Sequence, residues 1–161
     1  MSVITFTKTS LPYGWLGNMS PYPIEYNGKT WRTTEALFQA LRFDDEQIQT
    51  LIREEKSPMS AKLVAKSNIG FMAIEQLSIA DIDNMILCLR LKIEQHPELK
   101  QQLLDTGDAL IIEDVTKRGD KGSNLFWGAM LVNGQWVGKN TLGMLWGELR
   151  KEIKLDLSKN V

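Results

Sequence analysis

The sequence predicts an α+β fold, a single compact and mostly helical domain with short strands and hairpins near both ends of the chain. Its 161 residues, 43% of them hydrophobic and 24% charged, suit one domain with a hydrophobic core. Two Asn-Gly pairs, at positions 27–28 and 133–134, each separate short runs of strand-forming residues, as in tight hairpins. Between the hairpins, apolar residues recur at helical spacing. We therefore predict one domain over residues 1–161.

Strand and turn signals dominate the first part of the chain. Val3 to Thr7 predicts a short strand, and Leu11 to Pro23, rich in Pro, Gly, Asn and aromatic residues, predicts an ordered loop. The runs Ile24–Tyr26 and Lys29–Trp31 predict a hairpin, because the intervening Asn-Gly pair accepts φ > 0 at both central positions of the turn.

Helix start signals follow, because Ser, Thr and Asp cap helices through their side-chain oxygens and Pro suits the first helical position. The predicted helices run from Thr33 or Thr34 to about Phe43, from Asp45 to Glu55, from Ser57-Pro58 to Lys66 and from Ser78 through Ile93, and a short one starts at Pro97 and carries Leu99 and Leu103. At the start of the helix predicted from Ser78, Ser78 and Asp81 resemble a capping box. Its apolar residues at helical spacing are Ile79, Ile82, Met85, Ile86, Leu89 and Ile93.

The last third returns to strands before a final helix. Ala109 to Glu113 predicts a strand, Thr116 to Asn124 a polar loop, and Met130–Val132 with Gln135–Val137 a second hairpin. Asn140 can cap the final helix. The residues expected to face the core from that helix are Leu142, Leu145, Trp146, Leu149 and Ile153.

Composition narrows the class of protein. No run approaches the roughly 18 consecutive apolar residues of a membrane span, and the N-terminus lacks the layout of a secretory signal. Cys88 is the sole cysteine, which indicates a reducing compartment, and we predict a cytoplasmic protein without membrane partners. The net charge of −1 gives no overall attraction to nucleic acid, although Lys117, Arg118 and Lys121 form a local basic cluster.

Standard catalytic and metal motifs are absent from the sequence. One Cys and one His cannot form a zinc site of the usual kind, so no metal is predicted. Cys88 lies within an apolar helical pattern and is expected in the core. His96, before Pro97, is expected to cap a helix or lie at the surface.

Glu35 has two interpretations. It lies one or two positions inside a helix start, where free N–H groups keep a carboxylate ionised, so it can serve as a base or face a developing cation. The same position also suits an ordinary glutamate that complements the helix dipole.

Four further residues have a structural and a functional interpretation. Trp127 can stack on a heterocyclic base or belong to the core. Gly128 can admit a ligand close to the backbone or simply form a turn. Asn18 and Asn140 can hold a ribose hydroxyl, or serve as a turn residue and a helix cap respectively.

These residues together resemble the NADAR superfamily, which includes YbiA-like N-glycosidases. The most specific part is the pattern G-x-x-(Y/W)-x-(T/S)-x-E-x-x-(F/Y)-Q-A, which residues 28–40 match. The other matching segments are Leu16-Gly17-Asn18, Pro23-Ile24, Lys56-Ser57-Pro58, Ala61 with Ala65, Glu94 to Leu99, Leu103-Leu104, Thr106-Gly107, Phe126-Trp127-Gly128, Gly138-Lys139-Asn140, Leu142-Gly143 and Glu148-Leu149-Arg150. They cover nearly the whole chain in the correct order.

The resemblance implies an α+β hydrolase that cleaves an N-glycosidic bond to a ribose, without a metal or organic cofactor. It implies a ribosylated nucleotide as the substrate, in the form of a phosphoribosylated intermediate of riboflavin synthesis or of ADP-ribose on guanine in DNA. It places Glu35 at the catalytic centre. The substrate-binding set that it implies is Asn18, Lys29, Gln39, Trp127, Gly128 and Asn140.

Three positions depart from the pattern of the resemblance. Asn124 and Ala129 stand where family members often carry an Asp, and Leu77 stands where a Trp is common. These replacements favour another ribosyl substrate, such as ADP-ribose on a nucleobase, over the riboflavin intermediates. Two alternatives stay open: a non-catalytic module that binds ADP-ribose or a nucleotide, and a structural domain in which Glu35 only begins a helix.

Overall fold

Helices and short strands alternate along the chain in the computed structural model, which describes residues 2–160. In chain order, the helices are α1 (Thr34–Ala40), α2 (Glu46–Glu54), α3 (Pro58–Ser67), α4 (Ile79–Gln95), α5 (Pro97–Asp105), α6 (Asn124–Trp127) and α7 (Thr141–Lys159). The strands are β1 (Val3–Phe6), β2 (Ile24–Tyr26), β3 (Lys29–Trp31), β4 (Leu110–Glu113), β5 (Met130–Val132) and β6 (Gln135–Val137). Residues 14–16 and 69–71 form single 3-10 turns. The predicted α+β class with dominant helices is confirmed.

The chain folds as two units. The central unit comprises Asn18–His96, and the terminal unit comprises Met1–Gly17 with Pro97–Val161. One domain over residues 1–161 stays a prediction. None of the helices within residues 2–160 combines the length and the apolar character needed to cross a membrane.

The central unit is a helical layer that carries the first hairpin. Helix α1 packs against α2, α3 and α4, while β2 and β3 pair in antiparallel register, with Ile24 opposite Trp31. The side chain of Gln95, at the end of α4, accepts from the backbone N–H of Glu25 at 2.7 Å and donates to its carbonyl at 2.9 Å. This amide therefore fixes the hairpin to the end of α4.

The terminal unit is built on a parallel pair of strands covered by the last helix. β1 pairs with β4, with Val3 opposite Leu110 and Phe6 opposite Glu113. Helix α7 packs along β4 and buries Trp146 completely, and its indole Nε1 donates to the carbonyl of Leu16 at 3.0 Å. The apolar face predicted for α7 is therefore the one that is buried, apart from Leu145, which is half-buried.

Elements with strong local signals match their predictions. Both hairpins have the predicted bounds, and their central Asn and Gly residues have φ of 50° and 75° or 50° and 78°. Asp45 caps α2, and Ser57 with Ser60 forms a capping box at α3 ahead of Pro58. Each signal lies within one helical turn or one hairpin turn, so a few consecutive residues are enough to predict the element.

Three local predictions were wrong, and the short helix α6, which begins at the last residue of the predicted polar loop, was not predicted. Helix α1 ends at Ala40 and not near Phe43. Ile79, expected on the apolar face of α4, is 80% exposed. Ser78 caps α4 through Asp81 N–H as expected, but the Asp81 carboxylate is buried against Arg42 and completes no capping box.

Candidate functional site

Glu35 lies in the first turn of α1 and is 8% exposed. The helix begins there because Thr33 has extended backbone and its hydroxyl oxygen accepts from the N–H of Ala36 at 3.1 Å. The N–H of Glu35 itself donates to the carbonyl of Asn18 at 3.0 Å. The partial positive charge of the helix start favours the ionised form of this buried carboxylate.

Asn18 ties the early loop to both α1 and α4. Its carbonyl also accepts from the hydroxyl of Thr34 at 3.0 Å, and its amide Nδ2 donates to the sulfur of Met85 at 3.1 Å. The loop predicted from the Pro-, Gly- and Asn-rich sequence is therefore ordered at this point. Asn18 lies beside Glu35, since its carbonyl accepts from the N–H of that residue.

Gln39 lies one helical turn after Glu35 and is also buried, at 4% exposure. Its amide Nε2 donates to the Oε1 atom of Glu35 at 3.3 Å. The structure thus brings Asn18, Glu35 and Gln39 together within the central unit. Lys29 is in the same unit but has an exposed side chain in the hairpin, where its backbone pairs with Tyr26 and not with α1.

One face of α4 lies against this group. Cys88 is fully buried, and burial together with the negative charge of Glu35 raises the pKa of its thiol far above the ordinary value. A thiol that stays protonated is a poor nucleophile, since the thiolate is the reactive form. The prediction that Cys88 belongs to the core is confirmed.

Lys92, one turn further along α4, is a functional candidate that the sequence interpretation missed. The side chain is completely buried, and its ammonium nitrogen donates to the hydroxyl of Ser20 at 2.8 Å and lies 5.3 Å from the ring centre of Tyr22. Burial lowers the pKa of Lys92 to about 7. The signal was present in the sequence, because a lysine stands where the spacing from Met85 and Leu89 predicts an apolar residue.

His96 ends α4, as its sequence context predicted. A ring nitrogen lies 2.6 Å from the carbonyl oxygen of Pro23, and the ring meets Tyr22 edge to face at 5.3 Å between centres. The histidine therefore fixes the segment that leads into β2.

The other three predicted site residues belong to the terminal unit. Trp127, in α6, is half-buried and packs edge to face against Phe126, with 4.9 Å between ring centres. Gly128 is buried, and a Cβ there would meet the carbonyl of Glu113 and the side chain of Val115. The glycine is thus required for close packing of the segment after α6 against the end of β4.

Asn140 precedes α7 with φ 51°, but its side chain makes no capping hydrogen bond, which corrects the cap interpretation. Its Nδ2 donates to the carbonyl of Ile111 at 2.8 Å, and its Oδ1 accepts from the N–H of Glu113 at 3.0 Å. Both halves of the amide therefore hold the backbone of β4.

The three departures from the family pattern occupy positions with internal roles. Asn124 begins α6, and its Nδ2 donates to the carbonyl of Gly119 at 2.9 Å. Ala129 is 2% exposed, and its backbone bonds Glu113 and Val115. Leu77 has φ 64°, and its N–H donates to the Asp81 carboxylate at 2.8 Å.

No group of three or more His, Cys, Asp and Glu side chains within residues 2–160 lies in an arrangement able to hold a metal ion.

Comparison with known proteins identifies the family. A model described as the NADAR domain matches residues 5–154. The chain is 35% identical to N-glycosidase YbiA of Escherichia coli strain K12 over 96% of its own length and 91% of the relative. It is 27% identical to a riboflavin biosynthesis protein of Vibrio vulnificus, over 94% of this chain and 38% of that protein.

A solved structure agrees with the sequence comparison. The NMR structure of the E. coli protein YbiA matches with a TM-score of 0.75 and 33% identity, over 96% of this chain and 86% of that one. The chain therefore belongs to the NADAR domain family and is an enzyme of the N-glycosidase type.

Proposed function

We propose that this enzyme hydrolyses the N-glycosidic bond between a ribose and a base or amine, with Glu35 as its catalytic carboxylate. The observation that carries the proposal is the arrangement of Glu35: it is buried, lies in the first turn of a helix, and accepts a hydrogen bond from Gln39. The helix start and the hydrogen bond from Gln39 both favour the ionised form of this carboxylate. The N-glycosidases among the relatives supply the reaction type.

The chemistry of the bond defines the role of Glu35. When the bond from the anomeric carbon to nitrogen breaks, its electron pair leaves with the nitrogen and positive charge develops on the sugar. An ionised carboxylate lowers the energy of that oxocarbenium-like state. The oxygen of a water molecule then bonds to the anomeric carbon, Glu35 accepts one proton from that water, and the leaving nitrogen finally takes up a proton.

Lys92 is the candidate for the proton that the leaving nitrogen takes up. Its pKa of about 7 leaves a large part of the amine protonated at neutral pH while making the proton easy to transfer. Lys92 lies on the buried face of α4, one turn from Cys88. The charge of Glu35 contributes to the raised pKa of the Cys88 thiol. Glu35 and Lys92 thus supply an acceptor and a donor within the central unit.

The proposed substrates carry the ribose as ADP-ribose or as ribose 5-phosphate. The name of the Vibrio relative favours a riboflavin intermediate, while the exposed basic residues Lys117, Arg118 and Lys121 suit a DNA-linked substrate. Trp127 is half-buried in the terminal unit, and stacking on a base stays the role predicted for it from the sequence. Because the nitrogen and the oxygen of the Asn140 amide both bond the backbone of β4, we assign this residue to positioning that strand.

The experiment offers the protein guanine-linked ADP-ribose in an oligonucleotide, NAD, and the phosphoribosyl intermediates of riboflavin synthesis. Mass spectrometry then detects the released ribosyl product. We expect one substrate class to be cleaved, and we expect Glu35→Gln to lower its turnover at least about a hundredfold, by analogy with the loss of other charge-stabilising groups. The matched control is Glu46→Gln, which changes an exposed glutamate in the first turn of α2 and should leave turnover unchanged.

Normal turnover in folded Glu35→Gln would show that another group carries the reaction. Binding of ADP-ribose without cleavage of any of the three substrates would instead favour a nucleotide-binding module. The salt dependence of binding identifies a DNA substrate, because binding to DNA phosphates releases counterions. The affinity for such a substrate should fall steeply as the salt concentration rises.

A further inference from the structure

Glu35 is the end of a buried chain of polar side chains in the central unit. Glu35 and Gln39 lie one turn apart on α1, and Arg42 follows two residues past the end of the helix. Gln39 and Arg42 are 4% and 5% exposed. The interactions among these side chains therefore occur away from solvent, where hydrogen bonds and charges act strongly.

The amide of Gln39 has a defined orientation. Its Nε2 faces Glu35 Oε1 at 3.3 Å, while its Oε1 accepts from Arg42 Nη1 at 3.3 Å. A guanidinium can only donate, so the oxygen of the amide must point to Arg42 and the NH₂ group must point to Glu35. Arg42 thereby forces Gln39 to donate to the carboxylate.

Arg42 is itself held by a two-point contact with Asp81, from the first turn of α4. Its Nε and Nη2 donate to the two carboxylate oxygens at 2.9 and 2.8 Å, and the two side chains are 7% and 0% exposed. The guanidinium also lies 4.6 Å from the ring centre of Phe38. The backbone N–H of Leu77 donates to Asp81 as well, at 2.8 Å.

We infer that the Arg42–Asp81 ion pair is a positioning device for Glu35, acting through the Gln39 amide. The pair fixes the guanidinium, the guanidinium fixes the amide, and the amide holds one oxygen of the carboxylate in place. Gln39 is then a positioning residue of the N-glycosidase reaction that acts through Glu35, in place of the substrate-binding role predicted from the sequence. This inference rests on the proposed function in one respect, the catalytic role of Glu35.

The test compares two variants with a matched control. Gln39→Met removes the amide at similar volume, and Arg42→Lys keeps the positive charge but loses the planar two-point geometry. The control, Gln49→Met, changes another central-unit glutamine, in α2, whose Nε2 donates to the carbonyl of Phe43 at 2.6 Å. Circular dichroism melts select the variants that fold.

The first readout is the titration of the Glu35 carboxyl by NMR of ¹³C-labelled glutamate, assigned with Glu35→Gln, and it needs no substrate. The Cys88 thiol faces this carboxyl from α4, and the charge of Glu35 contributes to the raised pKa of that thiol. Arg42 and Asp81 are connected to the carboxyl through the Gln39 amide. In Gln39→Met we expect the titration midpoint to rise by roughly 1–2 pH units, the equivalent of one lost hydrogen bond to the charged form. In Gln49→Met we expect no change.

The second readout is kinetic, with whichever of the three substrates above the wild type cleaves. We expect kcat to fall about ten- to a hundredfold in Gln39→Met and less in Arg42→Lys, with KM nearly unchanged, since misplacement of a catalytic group costs rate. The acidic limb of the kcat profile should shift upward with the carboxyl titration. Gln49→Met should lower stability without moving either quantity.

The outcomes separate the two proposals. Full activity of Glu35→Gln overturns the role of Glu35 and the inference with it. If Glu35→Gln is inactive but Gln39→Met keeps the wild-type titration and kcat, the positioning device is wrong and the role of Glu35 stands. If only KM rises in Gln39→Met, Gln39 binds the substrate and does not position Glu35. If folded Arg42→Lys keeps the wild-type kcat, the Arg42–Asp81 ion pair has no part in positioning Glu35.

Discussion

At the scale of single residues, the buried amine of Lys92 makes the stability of this protein depend on pH. Its pKa is lowered from 10.5 to about 7 because burial disfavours the charged form. Between these two values the unfolded chain binds a proton that the folded chain does not, so stability rises with pH across that window. Below about pH 7 both states are protonated and the full penalty of the buried charge is present.

We therefore predict that Lys92→Met reduces this rise. From pH 7 to pH 9, the free energy of unfolding of the wild type should increase by up to about 2–3 kcal/mol relative to Lys92→Met, at about 1.4 kcal/mol per pKa unit. Urea unfolding at several pH values measures the difference. Lys66→Met, an exposed lysine in the last turn of α3, is the control and should follow the wild type. Parallel pH curves for wild type and Lys92→Met would mean that the ammonium group titrates normally in the fold.

At the scale of elements, α7 approaches β4 through a glycine. A Cβ at Gly143 would collide with the carbonyl oxygen of Ile111 and with the amide group of Asn140. That amide also bonds Ile111 and Glu113, so the same contact holds the strand and the start of the helix. Gly147, one turn later in α7, has open space around it.

The two glycines give opposite predictions for one substitution. Gly143→Ala should destabilise by about 1–3 kcal/mol or more, because the added methyl group overpacks a backbone contact. Gly147→Ala should stabilise by roughly 0.5–1 kcal/mol, since alanine loses less conformational entropy in a helix. Denaturant unfolding of both variants checks the signs. A stabilised Gly143→Ala would contradict the close approach of α7 to β4.

The elements that the sequence predicted well are those whose signals are local. The cap at Ser57 and the Asn-Gly turns act within three or four residues, and all are confirmed. The end of α1 depends on a distant partner instead. Past the end of α1, the carbonyl of Arg42 accepts from the N–H groups of Ala73 and Ile74, and its side chain bonds Asp81 on α4. Helical spacing carries no sign of these distant partners, so it extended α1 too far. The parallel pairing of β1 with β4 joins distant segments and had no local signal.

The candidate site shows the same limit. The pattern around Glu35 located the carboxylate and its neighbour Gln39, because both lie on one helix. The orientation of Gln39 and the burial of Lys92 depend on α4 and the early loop, which only the folded chain brings to α1. The polar groups of Asn18 and Asn140 looked available for a ligand in the sequence, yet each bonds backbone or side-chain atoms within its own unit.

At the scale of the whole molecule, ligand binding should appear as thermal stabilisation. A ligand that binds only the folded state stabilises by about 2.7 kcal/mol at a hundred times its Kd. For a protein of this size that corresponds to a rise in Tm of about 5–10 °C. Any product that carries the released ribosyl group should bind, because the enzyme must hold that group through the reaction.

We predict this rise with ADP-ribose, with ribose 5-phosphate, or with both, and none with inorganic phosphate at matched ionic strength. A rise with ADP-ribose alone would assign binding to the adenosine diphosphate part and favour the ADP-ribosylated substrates. Equal rises would assign it to the ribose phosphate that both share and favour the phosphoribosyl intermediates. Glu35→Gln should retain the rise, because the carboxylate is proposed to act on the transition state more than on the bound sugar. Flat melting curves with both sugars would contradict the ribosyl substrate class while leaving the fold and the family membership untouched.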